Sequence, residues 1–334
     1  MAGIQLSFAC GLYDRMLPLY TGEVKPAGID LNFIVLEDPR QIFDRMGGAQ
    51  EFDLSEMSSS EYISRLAAER NGGPRCAFVA LPVIASRVFR HSFIFVNRKR
   101  ITSPKDLEGK KIGVPLYTMS AAIWIRGHLQ TEYGVDLNTI RWIQGATNSG
   151  GSHGAPSVLP MARPVEIEIN RSGRSLSDLM DAGEIDAIIG TDVPDAMRHN
   201  PDIVRLFPNY REVEKDFYRR TKIFPIMHIV AIRRDVHEKY PFVATSLFDA
   251  FLEAKAIALE RMRFIGALRY MQPWLPADLD EIDEVFGGDP WPYGIEANRP
   301  TLEALLDNLY NQGVIPLRLA VEDLFVKTHE HAAR

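Results

Sequence analysis

The sequence predicts a two-lobed α/β protein, built on two doubly wound sheets with a helical cover at its C-terminal end. Three observations support this. At 334 residues the chain exceeds what one ordinary hydrophobic core holds together, so two lobes are the natural division. Strand-like runs alternate with helix signals as far as about residue 233, a pattern that places helices on both faces of parallel sheets. Beyond that point the chain reads as helix after helix.

The strand-like runs are short and rich in β-branched or aromatic residues. They are Ile4–Cys10, Gly28–Leu36, Cys76–Ile84, Ser92–Asn97, Lys111–Val114, Ile140–Ile143, Val165–Ile169, Ile185–Gly190, Ile203–Phe207 and His228–Ile232. Ser58-Ser-Ser-Glu61 fits a capping box opening a helix over Glu61–Arg70, with Gly72 as its stop. Ala122, Ile125 and Leu129 share one face of a helix that begins near Ser120 and ends at Gly134. Ser175-Leu-Ser-Asp178 forms a second box, closed by Gly183. Near the C-terminus, Phe242–Arg263 is long and amphipathic, and Pro300 suits the first turn of a helix running to Asn311 and ended by Gly313. With no linker in sight, the chain is expected to cross between lobes more than once, at Ser92–Asn97 and His228–Ile232. The division expected is a discontinuous first lobe, 1–94 plus 230–334, and a second lobe, 95–229, with a ligand cleft between them.

A net charge of −6 with dispersed Lys and Arg argues against a nucleic-acid partner, which needs a basic face to neutralise phosphates. Cys10 and Cys76 sit in no metal or redox spacing and read as reduced thiols. The N-terminus runs straight into a strand without the basic and apolar regions of a secretory leader, and no apolar run approaches the roughly 20 residues that span a bilayer. A cytoplasmic protein without a membrane partner is expected, and a homo-oligomer is compatible with the composition. The glycine-rich Gly145–Pro156 lacks the G-x-G-x-x-G and G-x-x-x-x-G-K spacings that cradle phosphates. It reads instead as a loop able to cover a ligand. His237-Glu-Lys-Tyr240 lacks the second histidine of a zincin, His329-Glu-His331 reads as a frayed tail, and no G-x-S-x-G elbow occurs.

In open α/β sheets ligands sit beyond the carboxyl ends of the strands, and polar residues gather at those positions here. Tyr13, Asp14 and Arg15 follow the first strand. The hydroxyl-rich Ser55-Glu-Met-Ser58 follows Phe52-Asp-Leu54, and Arg87, Arg90 and His91 flank the first crossing. Tyr117 and Thr118 precede a helix start, with Arg126 two turns on; Asp192 follows Ile189; His228 opens the second crossing. Tyr293 and Arg299 belong to a patch between the C-terminal helices.

Several of these stretches carry a resemblance. Phe52-Asp-Leu-Ser-Glu-Met-Ser-Ser-Ser-Glu-Tyr62, Ser86-Arg-Val-Phe-Arg-His91, Asp106-Leu-Glu-Gly-Lys-Lys-Ile-Gly-Val-Pro115, Trp124-Ile-Arg-Gly127, Ile223-Phe-Pro-Ile-Met-His228 and Trp291-Pro-Tyr-Gly-Ile-Glu-Ala-Asn-Arg299 resemble the 4,5-dihydroxyphthalate decarboxylase family. The likeness runs from about residue 7 to residue 325, with Trp142–Val165 fitting least well. It implies the type II periplasmic-binding-protein fold and a carbon–carbon lyase, a non-oxidative aromatic acid decarboxylase in phthalate degradation that forms 3,4-dihydroxybenzoate. Direct loss of CO2 would leave an aryl anion without π stabilisation. A hydroxyl para to the departing carboxylate, once deprotonated, instead pushes density to the ipso carbon, which a general acid protonates before CO2 leaves. The expected assignments follow from that chemistry. Arg15, Arg90 and Arg126 clamp carboxylates, His91 or His228 is the ipso-carbon acid, and Glu56 is a base or histidine orienter. Ser55, Ser58, Arg87, Tyr117, Thr118, Asp192, Tyr293 and Arg299 complete the substrate contacts. No cofactor is required, because the phenol is the electron sink; a divalent metal on the catechol would draw on His91, His228 and a carboxylate. The alternative from another class is a non-catalytic solute-binding protein for a small organic anion.

Overall fold

In the computed structural model, which describes residues 3–328, the apolar runs assemble into two sheets. The first half of the chain supplies β1 (Ile4–Cys10), α1 (Leu17–Tyr20), β2 (Ile29–Val35), α2 (Pro39–Gly47), β3 (Leu54–Ser58), α3 (Ser59–Arg70) and β4 (Phe78–Arg87). After a crossing come β5 (Ile94–Asn97), β6 (Lys111–Val114), α4 (Ser120–Thr131), β7 (Arg141–Gln144), β8 (Ile167–Ile169), α5 (Leu176–Asp181), β9 (Ala187–Ile189), β10 (Ile203–Arg205) and α6 (Tyr210–Thr221). The chain then returns as β11 (Ile226–Arg233), followed by α7 (Arg234–Lys239), α8 (Phe242–Arg263), α9 (Leu275–Phe286) and α10 (Arg299–Asn311). The tail motif His329-Glu-His331 lies outside the described residues.

The first sheet has the order β2-β1-β3-β11-β4 and the second β10-β5-β9-β6-β7-β8. Strands that succeed one another within a lobe pair in parallel, as β1 does with β2 and β3, and β6 with β7 and β9. Those reached by a crossing run the other way: β11 is antiparallel to β3 and β4, and β5 to β9 and β10. The sheets are therefore mixed rather than purely parallel, because a chain arriving from the opposite lobe enters from the cleft end. Residues 88–93 and 222–225 make the two crossings and are tied where Val88 N–H donates to Pro225 O at 3.2 Å. All of β11 from Ile226 onward pairs in the first sheet, so a boundary at 229/230 would fall inside a strand.

Leu54-Ser-Glu-Met-Ser58 was not expected as a strand. It alternates polar and apolar residues, which normally marks one wet face, yet all five positions are buried. The expected capping box at Ser58 is absent too: Ser58 makes no side-chain cap, its hydroxyl being used across the lobes. The second box is present, with Ser175 and Asp178 satisfying each other's backbone N–H. Leu302, Leu305 and Leu309 of α10 and Leu247 and Phe251 of α8 pack into the first sheet's core, each such burial stabilising by roughly 1.5–3 kcal/mol. The C-terminal helices also reach the second lobe. A Cβ at Gly127 of α4 would lie 2.4 Å from the Asn308 side chain, so glycine lets α4 and α10 approach.

Candidate active site

Strand periodicity places Glu56 and Ser58 on one face of β3. The antiparallel register of β11 then sets Val230 opposite Glu56 and His228 opposite Ser58. Glu56 is fully buried, a placement that costs several kcal/mol for a carboxylate unless donors surround it. They do. His228 Nδ1 lies 2.6 Å from Oε1, Tyr13 Oη donates to Oε1 at 2.8 Å, and Gly11 N–H approaches Oε2 at 3.4 Å. Burial pushes the Glu56 carboxyl up, but the charge and hydrogen bond of His228, with those of Tyr13 and Gly11, outweigh it and hold the group below its ordinary value. Tyr13 and Cys10 are driven the opposite way, first by burial and then by the Glu56 charge, so both stay protonated. At Gly11 a Cβ would strike the Tyr13 ring at 2.9 Å, which is why a glycine lets that ring fold back onto Glu56. The edge of Phe43 meets His228 with centroids 4.8 Å apart. Nε2 of His228 makes no hydrogen bond among the described residues, on a side chain 19% exposed.

Arg90 lies in the first crossing, its guanidinium over the Phe93 ring at 4.9 Å. It is 5% exposed, ion-pairs with no carboxylate among the described residues, and reaches Met227 Sδ, the residue before His228, at 3.2 Å. Burial lowers its guanidinium to about 10, partly opposed by Asp192 and Glu214. Asp192 follows β9 on the second lobe and accepts from Thr191 Oγ1 at 3.0 Å. Between the lobes Ser120 Oγ, at the start of α4, lies 3.0 Å from Ser58 and 3.1 Å from Ser59 and Ser60, at the start of α3. Ser60 also donates to Thr118 O at 2.8 Å. Two helix N-termini thus face one another across the cleft, an arrangement that favours an anion. Arg15 sits behind Tyr13, its guanidinium 4.4 Å from that ring and 4.3 Å from Trp291, with donors engaged by Ala85 O and Asp14.

Other expected site residues do not join this group. Ser55 faces the opposite side of β3 from Glu56, since successive strand residues alternate, and its hydroxyl is buried without a hydrogen-bond partner among the described residues. Arg87 is a brace: it donates to Pro292 O at 3.1 Å, Phe224 O at 3.4 Å and Asn298 Oδ1. Tyr117 and Arg126 form a separate cluster with Trp142, where the fully buried Arg126 guanidinium lies 3.6 Å from the Tyr117 centroid and its Nε donates to Gln312. Tyr293 is buried beneath the Lys255 ammonium. Arg299 pairs with Glu296, Glu303 and Glu322 at the surface. His91 of the first crossing stacks on His128 of α4 at 4.8 Å and meets Phe207, after β10, and Phe217 of α6, a cluster that contains neither Glu56 nor His228. A metal held jointly by His91 and His228 therefore has no basis in this geometry, and no group of three or more His, Cys, Asp or Glu fit to hold a metal occurs among the described residues.

The His91 box has a consequence for stability. Burial, with a smaller effect of Arg220, lowers His91 from 6.5 to about 4. Between those values the unfolded chain takes up a proton that the folded chain refuses, so stability falls as pH drops through the window, by on the order of 3 kcal/mol in all. Urea denaturation at intervals from pH 7.5 to 4 is expected to show this slope reduced in His91→Phe. Superimposable profiles would exclude His91 as the source.

Tyr13 was noted among the polar residues but given no role, and Phe43 carried no signal. The glycine that lets Tyr13 turn inward was the one local hint. No family model matches the chain. It is 36% identical to the 4,5-dihydroxyphthalate decarboxylase of Comamonas testosteroni over 97% of both chains. With that of Pseudomonas putida it is 34% identical over 66% of this chain and 83% of the other. Among solved structures, the periplasmic aliphatic sulphonate binding protein SsuA from Escherichia coli aligns with a TM-score of 0.51 at 12% identity, covering 99% of this chain and 94% of that one. The fold is thus that of the periplasmic binding proteins, and no helix among the described residues is long and apolar enough to cross a membrane. With 36% identity to the first of these relatives over 97% of both chains, the chain belongs to the 4,5-dihydroxyphthalate decarboxylase family.

Proposed function

We propose that the chain decarboxylates 4,5-dihydroxyphthalate to 3,4-dihydroxybenzoate in the cytoplasm, with His228 as the proton donor. The observation that carries this is the 2.6 Å contact of His228 with the buried Glu56. A carboxylate at Nδ1 fixes the orientation of the imidazole, leaving Nε2 to address the ligand. Glu56 is the orienter rather than the base, because Tyr13 and His228 already occupy it. In the reaction the phenol para to the departing carboxylate gives up its proton to solvent water, from which the product phenolate regains one, and density moves to the ipso carbon. Nε2 delivers a proton there, the C–CO2 bond breaks, and its electron pair restores the aromatic ring. Arg90, a buried cation without a carboxylate, holds the carboxylate that stays. The sequence requires no cofactor, since the ring stores the electrons.

The test is to incubate the protein with 4,5-dihydroxyphthalate, phthalate and hydroxybenzoates and to follow CO2. Many turnovers on the dihydroxy diacid are expected. Saturable binding without gas would instead assign the chain to the solute-binding proteins.

A further inference from the structure

The glycine-rich segment Gly145–Pro156 spans the cleft. It leaves the second lobe where Asn148 bonds Val193 O and Asp195 N–H, each at 2.9 Å. On the first lobe Ala155 N–H donates to Asp44 Oδ2 at 2.8 Å, and Arg65 donates to Ser157 O at 3.0 Å. Farther on, Arg163 N–H donates to Gly313 O at 2.9 Å before the chain rejoins β8. Gly154, at φ +72°, is pressed on α2 so closely that a Cβ would lie 2.5 Å from Arg40 Cγ and 2.7 Å from Asp44 Oδ2. Arg40 lies over Phe43 at 5.2 Å, and Phe43 meets His228. Two side chains therefore separate the strap from the catalytic imidazole. His153 hangs from this strap, half-buried and without a hydrogen bond among the described residues. The charges that face it are Arg40, Asp38 and Asp44 from the first lobe and Asp192 from the second. Burial, reinforced by Arg40, lowers its basicity and favours the neutral ring, which can accept a proton from a hydroxyl.

We propose that this strap is the fourth wall of the ligand cleft and that His153 is the specificity-determining residue it carries, accepting a hydrogen bond from a ring hydroxyl of the substrate. This rests on the aromatic diacid reading above. A docked strap also keeps water from the ipso carbon while the proton is delivered.

Calorimetric titration with 4,5-dihydroxyphthalate and with phthalate, which lacks both hydroxyls, separates the parts. His153→Ala is expected to weaken the dihydroxy ligand by about three- to tenfold, the span of one hydrogen bond, while leaving phthalate unchanged. His153→Gln, which keeps an acceptor, should recover most of it. Gly154→Val is expected to weaken both ligands by about tenfold or more and to speed amide exchange over residues 152–157, with β3 and β11 exchanging as in the parent. Equal weakening of both ligands by His153→Ala would overturn the specificity role. Unchanged affinities in a Gly154→Val protein whose strap exchanges fast would overturn the wall. Binding is read apart from CO2 release, so a chain that binds but does not decarboxylate would refute the reaction and leave the strap to be judged on these titrations.

Discussion

His228→Gln is expected to lower kcat by about 10²–10⁴-fold, the usual range for a general acid, with KM changed little. Glutamine fills the same space and can still donate to Glu56, but it carries no proton that it can deliver to carbon. Glu56→Gln should fall in the same range, because the neutral amide removes the carboxylate that holds the imidazole 2.6 Å away. Combining the two should cost little more than either alone, as expected of groups acting as a unit. Tyr13→Phe, which removes one of the donors to Glu56, should have a smaller effect in the same direction. Steady-state CO2 release decides the matter: if His228→Gln turns over within threefold of the parent, the dyad is structural and the proton comes from elsewhere.

Arg90→Leu is expected to act on binding. Losing a desolvated carboxylate contact costs roughly 2–5 kcal/mol, which is about a 30- to 5,000-fold rise in KM. Yet the free protein should be as stable as the parent or more so. The guanidinium is buried with no ion-paired carboxylate among the described residues, and Asp192 and Glu214 offset its desolvation only in part, so an apolar side chain there avoids the remaining cost. A raised KM with an unchanged or higher Tm is thus the signature of a cation held ready for a ligand. Arg90→Lys, which keeps the charge but not the planar fork, should lie between. A fall in Tm with KM unchanged would show that Arg90 is only a hinge brace, as Arg87 is.

Particular residues show how far a sequence reading reaches. Apolar runs such as Ile4–Cys10 and Lys111–Val114 announced themselves, since their burial demands alternation or continuous hydrophobicity over a few residues. β3 did not. Its buried Glu56 and Ser58 find their partners in Tyr13, in β11 and in the facing serine of α4, all far along the chain. His91 and Arg126 were attractive by position and residue type, yet each lies in its own aromatic cluster, which only packing reveals. Arg299 carries the charge of a carboxylate clamp, but three glutamates already surround it.

By itself, then, the sequence determined the α/β class, the helical cover and the family resemblance, because these rest on local periodicity and short motifs, whereas the crossings lie at 88–93 and 222–225, just before the strands expected to make them. The tertiary structure alone decided which polar residues meet. Glu56 and His228 are 172 residues apart in the chain, and they become neighbours through the antiparallel register in which β11 re-enters the first sheet. That register is a property of the assembled sheet, and no stretch of sequence around either residue encodes it.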